Sequence, residues 1–197
     1  MAYKYLLIDN DNTLMDFNAA EKAALRDTLV TSCLPADEET CAAYHMRKRG
    51  VPMERIQDGD VLHMGDATLT VSRREGTMFT TNDMSATLMV RYGDRRMYLA
   101  GDLEIRGETR TAAEPPACGL KADILKYPHH GHWPMRDALF TQIDPELVIV
   151  TAHEYPAREG FAYLKQQGVP GLSTYHGMIR LRTDGAIWVV DYYPEED

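Results

Sequence analysis

The chain has 197 residues, 44% of them apolar and 26% charged, which suits one well-buried soluble domain or a domain with an appended segment. No apolar run approaches the roughly 18 residues of a membrane span, and the run Tyr3–Ile8 is too short, with Asp9 following too early, for a signal peptide; a cytoplasmic protein is expected. A net charge of −9, with Glu195-Glu196-Asp197 at the end, repels phosphate backbones, so nucleic acid is a disfavoured partner. A small-molecule or phosphoester substrate held at a metal ion is compatible with that charge, because the ion dominates the field at its own site.

Tyr3–Ile8 reads as a buried strand. The turn Asp9-Asn10-Asp11-Asn12-Thr13 follows, and Asp16 or Asn18 can cap a helix from about Ala19 to Val30. Residues 1–36 thus form a strand, acidic loop and helix, the opening of an α/β unit. A second helix is expected from about Asp37 to Arg49, stopped by Gly50 with Pro52 beyond. The texture then becomes strand-rich, so the chain is read as residues 1–36 and 37–197. Strands are expected at 54–57, 61–63, 67–73, 85–92, 95–100, 122–127, 147–151, 172–175, 178–182 and 187–192, punctuated by Gly-Asp turns. Helices are expected at 134–142 and 156–167. Arg106–Gly119, with Glu114-Pro115-Pro116, reads as a loop or broken helix. Cys33, Cys41 and Cys118 form no CxxC pair and are expected to be reduced thiols. Many short strands with few helices give a layered α/β fold with a mixed sheet.

The chemistry concentrates at two strand ends. Lys126-Tyr127-Pro128-His129-His130-Gly131-His132-Trp133 places three of the seven histidines within four residues, just after the apolar Ile124-Leu125. Upstream, Tyr98-Leu99-Ala100-Gly101-Asp102 ends another strand on a carboxylate. Neutral imidazole and carboxylate oxygen are both good ligands for Zn²⁺ or Mn²⁺.

Several pieces carry a resemblance by their order and spacing: Asp58-Gly59-Asp60-Val61-Leu62, Met64-Gly65-Asp66-Ala67-Thr68-Leu69, Asn82-Asp83-Met84-Ser85-Ala86-Thr87-Leu88, Gly101-Asp102, Leu125-Lys126-Tyr127-Pro128-His129-His130-Gly131, and Gly177-Met178-Ile179. Residues 53–192 resemble the second half of a metallo-β-lactamase-fold domain, of the type fused to the competence DNA-uptake channel of bacteria. The resemblance implies an αββα sandwich with a metal site at one edge. It implies Asp102 as bridging carboxylate and one of the paired histidines as a metal ligand; His130 is taken as the ligand and His129 as the group that assists. The family's chemistry is hydrolysis by a metal-activated water, on an ester, amide or phosphodiester. The chain departs from the family in two places. HxHxDH is absent, and the "HHGS" of the family reads His129-His130-Gly131-His132, followed by Trp133. The sandwich is therefore expected to be shortened or incomplete, with an open sheet edge and a homodimer as the consequence.

Leu6–Phe17, with Asp9-x-Asp11-x-Thr13, resembles motif I of the haloacid-dehalogenase-type phosphatases. That resemblance implies Asp9 as nucleophile and Asp11 as acid/base, with Mg²⁺. Asp9-x-Asp11 also occupies the strand–loop–helix position where HxHxDH would stand, and two carboxylates there favour Mg²⁺ or Mn²⁺ over Zn²⁺. Three readings stay open: a metal-dependent hydrolase, phosphoesterase-like and possibly degenerate; a non-catalytic protein with an incomplete metal site; and an aspartyl-phosphate phosphatase using Asp9 and Asp11.

Overall fold

A computed structural model describes residues 6–7, 29–31, 48, 50, 53–74, 80 and 82–194. Asp9, Asp11, Cys33, Cys41 and His45 lie outside the described residues. The chain divides into two compact units, Met1–Gln57 and Asp58–Asp197.

In the first unit, β1 (Leu6–Leu7), β2 (Leu29–Thr31) and β3 (Met53–Arg55) pair in parallel in that order. β1 lies within the expected opening strand. β2 corrects the expected helix: Leu29 and Val30 pair with Leu6 and Leu7 instead of ending a helix. Val30 and Thr31 are branched at Cβ, which favours the pleated conformation over a helix terminus. Lys48 is helical and Gly50 takes φ 70°, the left-handed stop expected of the second helix.

The second unit is built on a seven-stranded sheet in the order β10-β9-β8-β7-β6-β5-β4. β4 (Val61–Met64), β5 (Ala67–Ser72), β6 (Thr87–Tyr92) and β7 (Arg95–Leu99) run antiparallel. Two of the reversals are tight Gly-Asp turns, at Gly65 (φ 62°) and Gly93 (φ 57°). From β7 onward the sheet turns parallel, through β8 (Ile124–Lys126), β9 (Leu147–Val150) and β10 (Gly171–Ser173). Parallel neighbours need crossovers, and these are α1 (Ile105–Ala113), α2 (Asp137–Ile143) and α3 (Arg158–Gln167). β8 and β9 read as unbroken apolar runs because both faces are covered: Ile124, Leu125, Val148, Ile149 and Val150 are all at most 6% exposed. The core gathers Tyr98, Leu125, Tyr127, Leu139, Ile143, Val148, Val150 and Leu164 around these strands.

α1 stands where a loop or broken helix was expected. Its start is capped from outside: Asp83 Oδ1 accepts the backbone N–H of Gly107 at 2.7 Å and of Glu104 at 3.2 Å. It stops at Ala113 because Pro115 bars the helical conformation for Glu114, which takes φ −130°, ψ 72°.

β11 (Gly177–Thr183) and β12 (Trp188–Pro194) form a separate antiparallel hairpin. Its turn fastens to the end of the sheet where the parallel strands begin: Asp94 N–H donates to Gly185 O at 2.8 Å, and Trp188 Nε1–H donates to Asp123 Oδ2 at 3.1 Å. The whole is a mixed α/β fold with a large central sheet and few helices, as the sequence predicts.

Candidate functional site

Four parallel strands end side by side, and chemically capable side chains follow each end: Asp102 and Glu104 after β7, His129 and His130 after β8, Thr151 and His153 after β9, Tyr175 and His176 after β10. In open α/β sheets, the carboxyl ends of the strands are where ligands bind.

The turn after β7 is shaped by what surrounds it. Gly101 takes φ 57°, and a Cβ there would stand 2.9 Å from Ser85 Cβ. Ser85 Oγ accepts the Asp102 N–H at 3.2 Å, and Asn82 Nδ2 donates to Glu104 Oε1 at 3.0 Å. Together with the Asp83 cap on α1, the segment Asn82-Asp83-Met84-Ser85 is a frame that holds residues 101–107 by three side chains.

Lys126, the last residue of β8, is 3% exposed. Its Nζ donates to Gly101 O at 2.9 Å and lies 3.6 Å from Asp102 Oδ1. His129 N–H also donates to Gly101 O, at 3.2 Å. One carbonyl thus ties the ends of β7 and β8 together.

His129 (φ 44°), His130 (φ 55°) and Gly131 (φ 78°) are three successive left-handed residues. For a non-glycine residue that conformation costs about 1–3 kcal/mol, so packing must impose it. Gly131 lies against α3 so closely that a Cβ on Gly160 would stand 2.5 Å from Gly131 O. The result turns both imidazoles along the rim.

His130 Nδ1 lies 3.0 Å from both Thr151 O and Thr151 Oγ1. A carbonyl only accepts, so Nδ1 carries the proton and Nε2 presents its lone pair. That Nε2 is 3.5 Å from Asp102 Oδ1. Two ligand atoms on one tetrahedral ion with bonds near 2.0–2.1 Å stand about 3.4 Å apart. Asp102 and His130 therefore fit two adjacent positions of a metal shell, with the histidine oriented from behind by Thr151, as ligating histidines generally are. Among the described residues no group of three or more His, Cys, Asp or Glu side chains converges to complete it.

His129 points elsewhere: its Nδ1 is 3.3 Å from Glu104 Oε1. His132 stands with its ring centroid 5.1 Å from that of His129, and burial, followed by the neighbouring imidazoles, holds its pKa below the ordinary value. His153 has the opposite arrangement to His130. Its Nδ1 accepts the Tyr155 N–H at 2.9 Å, so the proton of the neutral ring sits on Nε2. The His153 and Tyr175 ring centroids stand 3.9 Å apart with the rings tilted by 55°, and His176 Nε2 lies 3.6 Å from Glu154 Oε1. His63 is exposed on β4.

Of the residues singled out from the sequence, Asp102 and His130 converge and His129 flanks them; Asp9 and Asp11 lie outside the described residues. Among the parts that position these groups, sequence reading missed Thr151. Glu104 stands two residues after Asp102 and carried a usable signal. Thr151 carried none, since only the β8–β9 pairing brings it to His130.

No protein-family model matches the chain. It is 29% identical over 171 residues to ComE operon protein 3 of Bacillus subtilis (strain 168), covering 83% of this chain and 22% of that protein. Among solved structures it is similar to CmlA, a diiron β-hydroxylase from Streptomyces venezuelae, with a TM-score of 0.53 at 11% identity over 85% of this chain and 43% of that one. A metallo-β-lactamase fold protein, YhfI from Bacillus subtilis, matches with a TM-score of 0.45 at 9% identity over 80% of this chain and 66% of that one. The chain spans less than half the length of both ComE operon protein 3 and CmlA. The likeness to CmlA is one of fold.

Proposed function

We propose that the chain is a metal-dependent hydrolase of metallo-β-lactamase-like fold that acts on phosphoesters. The observation that carries the proposal is the convergence of Asp102 Oδ1 and His130 Nε2 at 3.5 Å, with the His130 lone pair turned inward by Thr151. When bound, Zn²⁺ or Mn²⁺ supplies a water whose pKa is lowered into the neutral range. The chain's own part is to hold that charge between Asp102 and His130, and to keep Lys126 beside them. His129 stands at the same rim to assist the leaving group.

Metal content and hydrolysis test this reading together. The purified chain, loaded with Zn²⁺ or Mn²⁺ and dialysed, is expected to retain at least one ion and to hydrolyse bis(p-nitrophenyl) phosphate. Asp102→Asn and His130→Gln are each expected to lower both retention and rate by about 10–100-fold. Retention and rate unchanged in both variants would overturn the assignment of these ligands.

Lys126 favours a second reading. An ammonium 3.6 Å from Asp102 already balances part of the carboxylate charge, which suits a fold kept without catalysis. Under it, no ion is retained and no ester cleaved. Activity that needs millimolar Mg²⁺, cleaves p-nitrophenyl phosphate and is lost in Asp9→Asn would instead assign the reaction to Asp9 and Asp11 as an aspartyl-phosphate phosphatase.

A further inference from the structure

Glu104 has no part in the pairing of Asp102 with His130, yet it is among the most firmly held side chains at this rim. Its Oε1 accepts from Asn82 Nδ2 at 3.0 Å and its Oε2 from Thr80 Oγ1 at 3.2 Å, while its backbone N–H is held by Asp83. Two residues of one segment therefore fix the carboxylate and a third its backbone, and that carboxylate lies 3.3 Å from His129 Nδ1. The Nδ1 atom is shut off from solvent, and the contact is at ion-pair range without hydrogen-bond alignment. A bare Nδ1, which carries negative partial charge, would there stand 3.3 Å from a carboxylate oxygen, which is electrostatically unfavourable. A proton on Nδ1 removes the repulsion whether the ring is neutral or charged.

We infer that Glu104 is a positioning residue that fixes the neutral His129 ring with its proton on Nδ1, so that Nε2 is the nitrogen offered to a bound substrate. His129 and His130 then share one design. Each has its Nδ1 beside an oxygen of a neighbouring strand end, Glu104 at 3.3 Å for one and the hydrogen-bonded Thr151 for the other, and each presents Nε2. His153, with its Nδ1 accepting from Tyr155, is the counterexample on the same rim. The strained backbone serves this end, because the left-handed conformation at His129 brings its ring back toward the β7 end where Glu104 stands. What Glu104 does for turnover rests on the hydrolase reading; the tautomer does not.

The test is long-range ¹⁵N–¹H correlation of the imidazoles in the ¹⁵N-labelled chain at pH 8, with His129 assigned by its loss in His129→Gln. The wild-type ring is expected to show the pattern of protonation at Nδ1. Glu104→Leu, which keeps bulk and removes both oxygens, is expected to return it to the Nε2–H form that imidazole prefers in water. Glu104→Gln is expected to keep the Nδ1–H form, since Asn82 still orients the remaining carbonyl oxygen toward the ring. A wild-type ring protonated at Nε2, or a pattern unchanged in Glu104→Leu, would overturn the inference. If Glu104→Leu does not fold, the wild-type spectrum alone decides. In the hydrolysis assay, Glu104→Leu is expected to lower kcat about 10-fold or more with KM little changed, and Glu104→Gln to recover most of it. A chain with no hydrolysis at all but with the expected tautomers would sink the hydrolase reading and leave the role of Glu104 standing.

Discussion

Glu108 sits on α1 at 5% exposure, its Oε2 accepting the backbone N–H of Arg136 at 2.6 Å. Burial pushes its carboxyl up from 4.5 to about 7, against the opposing pull of that hydrogen bond and of the Arg136 charge, while Asp83 adds to the rise. The folded chain therefore binds more protons than the unfolded chain between those two values. The stability this group contributes is fully present below pH 4.5 and is lost as pH rises through about 7, on the order of 3 kcal/mol in all. Glu108→Gln keeps an acceptor for Arg136 and removes the titration. Urea unfolding from pH 4.5 to 8 is expected to show a decline in the wild type that is absent from the variant; parallel curves would refute it. At this scale the sequence displayed its chemistry unevenly. Asp102, His129 and His130 stand in short local patterns and could be named from them. Asp83 and Lys126 stand in such patterns too, but Thr151 acts across strands, and no local pattern marks a contact that a sheet register creates.

The left-handed run His129-His130-Gly131 depends on the element beneath it. Gly160, near the start of α3, lets the helix approach until a Cβ would meet Gly131 O at 2.5 Å and Gly131 Cα at 2.8 Å. Gly160→Ala must push α3 and the histidine turn apart, and is expected to destabilise the chain by about 2 kcal/mol. The shift reads out as a lower denaturation midpoint and as altered imidazole signals of His129 and His130; a midpoint unchanged within error would show that the contact is soft. Elements were legible where periodicity had one cause. The apolar runs of β8 and β9, and the Gly-Asp reversals of the antiparallel strands, follow directly from burial and turn chemistry. α1 did not show itself because its sequence, Ile-Arg-Gly-Glu-Thr-Arg-Thr-Ala-Ala, is polar with a glycine inside. That glycine is required by Asp83 and Leu103, which leave no room for a Cβ at Gly107. β2 was misread because helix-favouring residues upstream run straight into Val30 and Thr31.

At the level of the whole molecule, the seven-stranded sheet ends in β4, which among the described residues pairs only with β5 and exposes Val61 and Met64. We expect a second copy to pair along this edge and form the homodimer anticipated from an open sheet. Light scattering is expected to give twice the chain mass for the wild type and the monomer mass for a Val61→Lys, Met64→Lys double variant. A monomeric wild type would remove this assignment and leave the site untouched. The two ends of the sheet also divide their labour. The hairpin turn staples the end where parallel strands begin, and the polar side chains occupy the other. β12 runs from the first end to the second, since Trp188 bonds Asp123 while Pro194 lies opposite Gly177, one residue past His176. A polyhistidine purification handle joined beyond Pro194 would therefore leave the chain on the rim that carries the candidate ligands. It would add foreign imidazoles there and inflate any measured ion content, so elemental assays should use material whose affinity tag has been cleaved off.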